Sequence, residues 1–199
     1  MPIELKKGSN GITLEKHSDG NLGRIVVNLN WNTNPPVKGD NAESIDLDLG
    51  CLYKLKLGKS GAIQALGKRF GDFNNIPYIQ LDKDDRSGES LEGENLFING
   101  NKISEISKIL IYTYIYEGVT NWASTDGVVT IKPNAGEIII IRMDEHDNSK
   151  KLCALALIEN VNDQTFKINR ILKYFKNQSE LDSAFSWGMN WKPGRKEDK

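Results

Sequence analysis

No stretch of the 199-residue sequence approaches the ~20 apolar residues needed to span a bilayer; the longest apolar runs are Ile138–Ile141 and Leu152–Ile158. The opening residues Met1 to Lys7 also lack the apolar segment of a secretory signal, so none is expected there and a cytoplasmic location is. Cysteine is nearly absent. Cys51 and Cys153 each sit beside apolar residues in a strand-like stretch, which predicts two buried thiols, because free cysteine behaves as a small hydrophobe. A disulfide has no secretory feature to support it. Charge of one sign is lacking too: the formal net charge is −1, whereas a general nucleic-acid binder needs a basic excess to displace counterions.

Catalytic signatures are equally sparse. The two histidines, His17 and His146, lie in turn-like, polar stretches, and no Gly-x-Ser-x-Gly elbow accompanies them, so a hydrolase triad is not expected. Leu57-Gly-Lys-Ser-Gly61 has the end of a phosphate loop, but Tyr53 stands where its first glycine belongs, and a β-turn is the better reading. No Cys-x-x-Cys pair and no flavin or nicotinamide fingerprint occurs, so redox chemistry would lack an electron carrier. The chain is read as a non-enzyme.

What is present is alternation. Gly23–Trp31 places Ile25, Val27, Leu29 and Trp31 on one face, and Ser44–Leu55 does the same with Ile45, Leu47 and Leu49. Ala62–Leu66, Ile76–Leu81, Lys108–Glu117, Val128–Lys132, Glu137–Met143, Lys151–Asn160 and Thr165–Phe175 extend the pattern. They are separated by Gly, Asn, Asp and Pro turns. Nine short strands at this spacing predict an all-β fold, a β-sandwich of two mainly antiparallel sheets. A short C-terminal helix over Glu180–Phe185 capped by Ser179, and a single turn at Ile103–Ile106, are the helical expectations. Residues 1–192 read as one domain and 193–199 as a flexible tail. Trp122, Trp187 and Trp191 read as residues that close the sandwich, with a ligand platform as the other possibility.

The acidic residues are concentrated. Asp82, Asp84, Asp85, Glu89, Glu92 and Glu94 fall within thirteen positions, offset only by Lys83 and Arg86. Two carboxylates held 5 Å apart repel by roughly 3 kcal/mol at an effective dielectric of 20, so a loop that gathers several of them favours a cation. Oxygen ligands without His or Cys select a hard ion, calcium or magnesium. An EF-hand does not fit. With Asp82 as its first position, Arg86 takes the fifth, Ser87 the place of the required glycine and Gly93 that of the bidentate glutamate. A solvated acidic loop is the competing reading. Asp46 and Asp48, on the strand face opposite Leu47 and Leu49, are either further ligands or part of a polar face.

Several of these segments together resemble the TerD-like tellurium-resistance family of bacterial stress proteins, and its TerA branch most. They are Leu5-Lys-Lys-Gly8, Leu29-Asn-Trp31, Ile45-Asp-Leu-Asp-Leu49, Asp84-Asp-Arg-Ser-Gly-Glu89 and Glu92-Gly-Glu94. The stretches Ile79–Asn101, Ile111–Gly127 and Asp144–Asn148 carry the TerA likeness. The resemblance implies calcium at one end of a β-sandwich, with Asp84, Asp85, Glu89 and Glu94 on the motif positions and Asp46 and Asp48 contributing from the strand. The family's acidic run is shorter here and has fewer carboxylates. The resemblance further implies a stress-response role through other tellurium-resistance-type proteins, a membrane-bound one among them, and a peripheral position at the inner membrane face. A calcium-dependent ligand- or carbohydrate-binding module is the alternative, although Tyr78 and Phe97 are the only aromatics near the loop.

Overall fold

A computed structural model describes residues 1–31, 45–82, 93–118 and 120–194. The described residues form thirteen strands and one α-helix. The strands are β1 (Ile3–Glu4), β2 (Ile12–Thr13), β3 (Arg24–Asn30), β4 (Asp46–Leu55), β5 (Ser60–Ile63), β6 (Gly71–Asp72) and β7 (Ile79–Leu81). They continue with β8 (Glu94–Asn99), β9 (Ile106–Glu117), β10 (Val128–Lys132), β11 (Ile139–Arg142), β12 (Leu152–Val161) and β13 (Thr165–Phe175), and the helix is α1 (Gln178–Phe185).

The strands make two sheets. The seven-stranded one runs β1-β11-β10-β3-β8-β7-β6 and is mixed, because β1 pairs parallel with β11; the six-stranded one, β2-β13-β12-β9-β4-β5, is antiparallel throughout. This is the expected two-sheet β-fold with a short C-terminal helix. The predicted strands recur with altered ends, several of them trimmed. Ala62–Leu66 is found as Ser60–Ile63, Lys151–Asn160 as Leu152–Val161, and Lys108–Glu117 begins earlier, at Ile106. Val128–Lys132 and Thr165–Phe175 recur without change. Periodicity had no means of finding β1, β2 and β6, which are two residues long.

Alternation sorts the side chains between two cores. Val27, Leu29, Leu47, Leu49, Leu96, Ile98, Ile109 and Ile111 are buried between the sheets. The outer face of the six-stranded sheet has a second core of Leu52, Leu110, Tyr112, Tyr114, Leu152, Ala154 and Phe175, covered by Leu181 and Trp187. A bulge between Ala154 and Ala156 interrupts the register of β12 with both neighbours. The extra residue reverses side-chain parity, so Leu152 and Ala154 face the helix while Ala156 and Ile158 fill the central core. Cys51 and Cys153 are free and buried. Burial pushes both thiols well above their ordinary range.

Two helical expectations change in detail. Asn177, not Ser179, caps α1: its side chain accepts from Glu180 N at 3.0 Å. Glu180 reaches back to Lys176 N at 2.5 Å. The helix therefore starts one residue before the expected Ser179 cap, with that serine inside its first turn. The turn near Ile103 is a 3-10 segment over Gly100–Glu105, capped by Asn99. Of the tail, Pro193 and Gly194 are exposed, and 195–199 lie outside the described residues.

Candidate metal site

The predicted site residues divide three ways. Asp84, Asp85, Glu89 and Glu92 lie outside the described residues. Asp82 ends β7 on the exposed side, where its carboxylate accepts from Asn95 N at 3.0 Å and from Asn95 Nδ2 at 2.9 Å. Asn28 Nδ2 donates to Asn95 Oδ1 at 2.9 Å, which extends this polar strip across β3, β8 and the end of β7. Asp82 thus ties one end of the acidic loop to the sheet.

Asp46, Asp48 and Glu94 are buried instead. Asp48 and Glu94 are fully inaccessible and Asp46 is 6% exposed. Backbone geometry accounts for each position. Gly93 has φ +61°, and a Cβ there would meet Leu29 O at 2.0 Å, so only glycine fits. The chain passes through this contact into β8, where Glu94 pairs with Leu29 and shares the inward face with Leu96 and Ile98. Strand β5 pairs with β4 only from Cys51 to Lys54, which leaves the Asp46–Gly50 edge beyond its reach. There Glu94 Oε2 accepts from Leu49 N at 2.7 Å. An acidic side chain from one sheet therefore closes the open edge of the other.

Asp48 lies opposite Tyr114 in the β4–β9 register. Both belong to the outer face, which Tyr112 shares; a Cβ on Gly50 would meet the Tyr112 ring at 2.8 Å. Tyr112 donates its hydroxyl to Gln64 Oε1 at 2.6 Å. Burial raises the Tyr114 hydroxyl far above the ordinary phenol range, and the negative charges of Asp48 and Glu94 add to the shift. Sequence reasoning passed over Tyr114, although Ile111-Tyr-Thr-Tyr-Ile-Tyr116 alternates aromatic and other residues; in register Tyr114 faces Asp48, Tyr112 faces Gly50 and Glu117 faces Asp46.

The donors assembled here are carboxylate, phenol and backbone oxygens, a set that fits a hard cation and offers nothing to a soft one. Among the described residues, no three His, Cys, Asp or Glu side chains form a group able to hold an ion by themselves. Both carboxylate-bearing strands begin at this end, β4 after residues 32–44 and β8 after residues 83–92.

Comparison with known proteins places the chain. No family model matches it. It is 42% identical over 200 residues to the tellurium resistance protein TerA from an Alcaligenes species, a match that takes in 98% of this chain. The chain spans only 58% of that relative's length. Two crystal structures share the fold. One is a protein of unknown function, with a TM-score of 0.62, 12% identity and 85% of this chain covered against 99% of the other. The second is a homologue of the telluride resistance protein TerD from Streptomyces coelicolor A3(2), with a TM-score of 0.61, 14% identity and the same coverage.

Proposed function

Because this chain is TerA/TerD-like, a relative of the tellurium-resistance family along nearly its whole length, we propose that it serves tellurium resistance as a non-enzymatic, calcium-binding stress-response protein that acts through protein partners. The observation that carries the calcium reading is the burial of Asp46, Asp48 and Glu94 at one end of the sandwich. Gathering carboxylates in a region of low dielectric costs free energy that a divalent cation offsets. In this reading Asp46, Asp48 and Glu94 form the rigid side of the site, and Asp84, Asp85, Glu89 and Glu92 complete it from the loop. Asp82 anchors that loop through Asn95. Calcium accepts six to eight oxygens in irregular geometry, whereas magnesium demands a tight octahedron and holds its water, so calcium suits a site built from two strands and a loop.

Calorimetric titration of chelator-stripped protein tests the proposal. Calcium at a hundred times its dissociation constant adds about 2.7 kcal/mol, equivalent to a rise in Tm of roughly 5–11 °C for a domain of this size; magnesium should give much less. Asp48→Asn should be neutral or stabilising in chelator and destabilising in calcium, and Lys83→Gln should leave calcium affinity intact. A Tm indifferent to calcium, in protein shown metal-free by elemental analysis, rules the site out. The proposed partners are other tellurium-resistance-type proteins. No helix among the described residues is long and apolar enough to cross a membrane, and one of the proposed partners is membrane-bound.

A further inference from the structure

A groove of about 720 Å³ lies beside the β4–β5 hairpin, between it and the chain from Trp187 to Gly194. Three cations line it, Lys54, Arg69 and Lys192, and among the described residues no carboxylate does. In a protein with slightly more acidic than basic residues, that segregation is a local feature rather than a consequence of composition. None of the three forms a salt bridge among the described residues. Lys54 also lies directly opposite Lys108 in the β4–β9 register, a like-charge cross-strand pair that destabilises a sheet. Lys108 is drawn onto the Trp187 ring, with Nζ 4.4 Å from its centroid.

The remaining groups in the groove add donors. Gln64 spends its Oε1 on the Tyr112 hydroxyl, which leaves its amide NH₂ as the group offered to the groove, and the Ser60 hydroxyl lies alongside. The far wall is held in place. Buried Asp182 accepts from Gly188 N at 2.8 Å, Met189 N at 3.0 Å and Trp191 Nε1 at 3.0 Å. Trp187 Nε1 donates to Tyr53 O at 3.1 Å. With its indole nitrogen pinned, Trp191 lines the groove as a half-buried ring. Pre-ordered walls lower the entropy lost on binding, and the volume falls within the range of small-molecule sites.

We propose that this groove binds a small phosphate-bearing ligand, with Arg69 gripping the phosphate, Lys54 and Lys192 supplying further charge, and Trp191 offering a face to any flat group attached to it. A guanidinium matches phosphate oxygens in a two-pronged geometry, while lysines act as point charges. The ring adds stacking or cation-independent apolar contact. Strand addition by a peptide is less well served, since β5 offers an edge of only four residues.

Calorimetry on the full chain with pyrophosphate, ADP and adenosine tests this, performed in chelator so that the result is independent of the calcium reading. ADP should bind and adenosine should not, with affinity falling as salt is raised. Lys54→Gln and Arg69→Gln should each weaken ADP binding about tenfold or more, and unchanged melting curves would show that both variants fold. Pyrophosphate binding as tightly as ADP supports the anion site and assigns the ring no part; tighter ADP binding brings Trp191 in. Absence of measurable heat with both phosphate ligands, or full ADP affinity in the Lys54→Gln, Arg69→Gln double variant, overturns the proposal.

Discussion

Thr113 shows how a single buried hydroxyl bears on stability. It is opposite Leu49 and Cys153 in its two ladders and fully buried. Its Oγ1 has no hydrogen-bond partner among the described residues. A buried hydroxyl without a partner carries its desolvation cost uncompensated. Thr113→Val keeps the branched shape, suits a central strand and removes that cost, so the variant should be more stable by about 1 kcal/mol, read as a higher urea midpoint at unchanged slope. A lower midpoint would mean that the hydroxyl is bonded in solution. Glu94 illustrates the opposite case. It too is buried, but it accepts from Leu49 N, and its replacement would leave an amide at an open sheet edge.

The C-terminal element depends on two side chains with different duties. Asn177 satisfies Glu180 N at the start of α1, while Asp182 inside the helix accepts three donors from the segment that follows it. Ser179 Oγ makes no cap in this arrangement; its backbone oxygen accepts from Ser183 Oγ at 2.9 Å. Asn177→Ala should therefore cost about 1 kcal/mol, and Ser179→Ala should be close to neutral. Thermal melts of the two variants side by side would distinguish the caps, and an equal loss from both would contradict the assignment. Asp182→Ala, by contrast, should loosen the Trp187–Gly194 segment and with it the groove wall. Hydrogen exchange should register this as faster exchange at Gly188 and Met189, whose amides lose their acceptor.

Across the whole molecule, burial biases interior thiols and phenols toward their neutral forms. Burial is the first cause of the raised pKa at Cys51, Cys153, Tyr112, Tyr114 and Tyr174. The unfolded chain would release these protons near 9.0 for the thiols and 10.0 for the phenols. The folded values lie higher, so the stabilisation is complete below the unfolded values and is lost as pH rises past them toward the folded ones. Urea midpoints should accordingly be flat up to about pH 8 and fall clearly by about pH 10.5. Equal midpoints at those two values would show that the five groups titrate as if exposed.

Local patterning sufficed for the sheets. In β3, β4 and β10 apolar residues recur at every second position, as they do in β13 except at Arg170, and a half-buried strand has no other way to place them. It sufficed also for the fate of the cysteines and for the presence of a concentrated acidic loop. It could not determine which carboxylates leave solvent. Asp82 and Glu94 look alike in the sequence, yet Gly93 turns the chain so that Glu94 points between the sheets, while Asp82 stays outside on Asn95. Asp46 and Asp48 alternate with leucines as any polar face would. Both are nevertheless buried, with Glu117 opposite Asp46 and Tyr114 opposite Asp48 on the neighbouring strand. The groove is tertiary as well: Lys54, Arg69 and Lys192 are far apart along the chain, and only the folding of the C-terminal segment back onto β4 and β5 brings them to one surface. Periodicity is a local property that burial of one face imposes, whereas the meeting of distant charges depends on which strands pair and what lies across them.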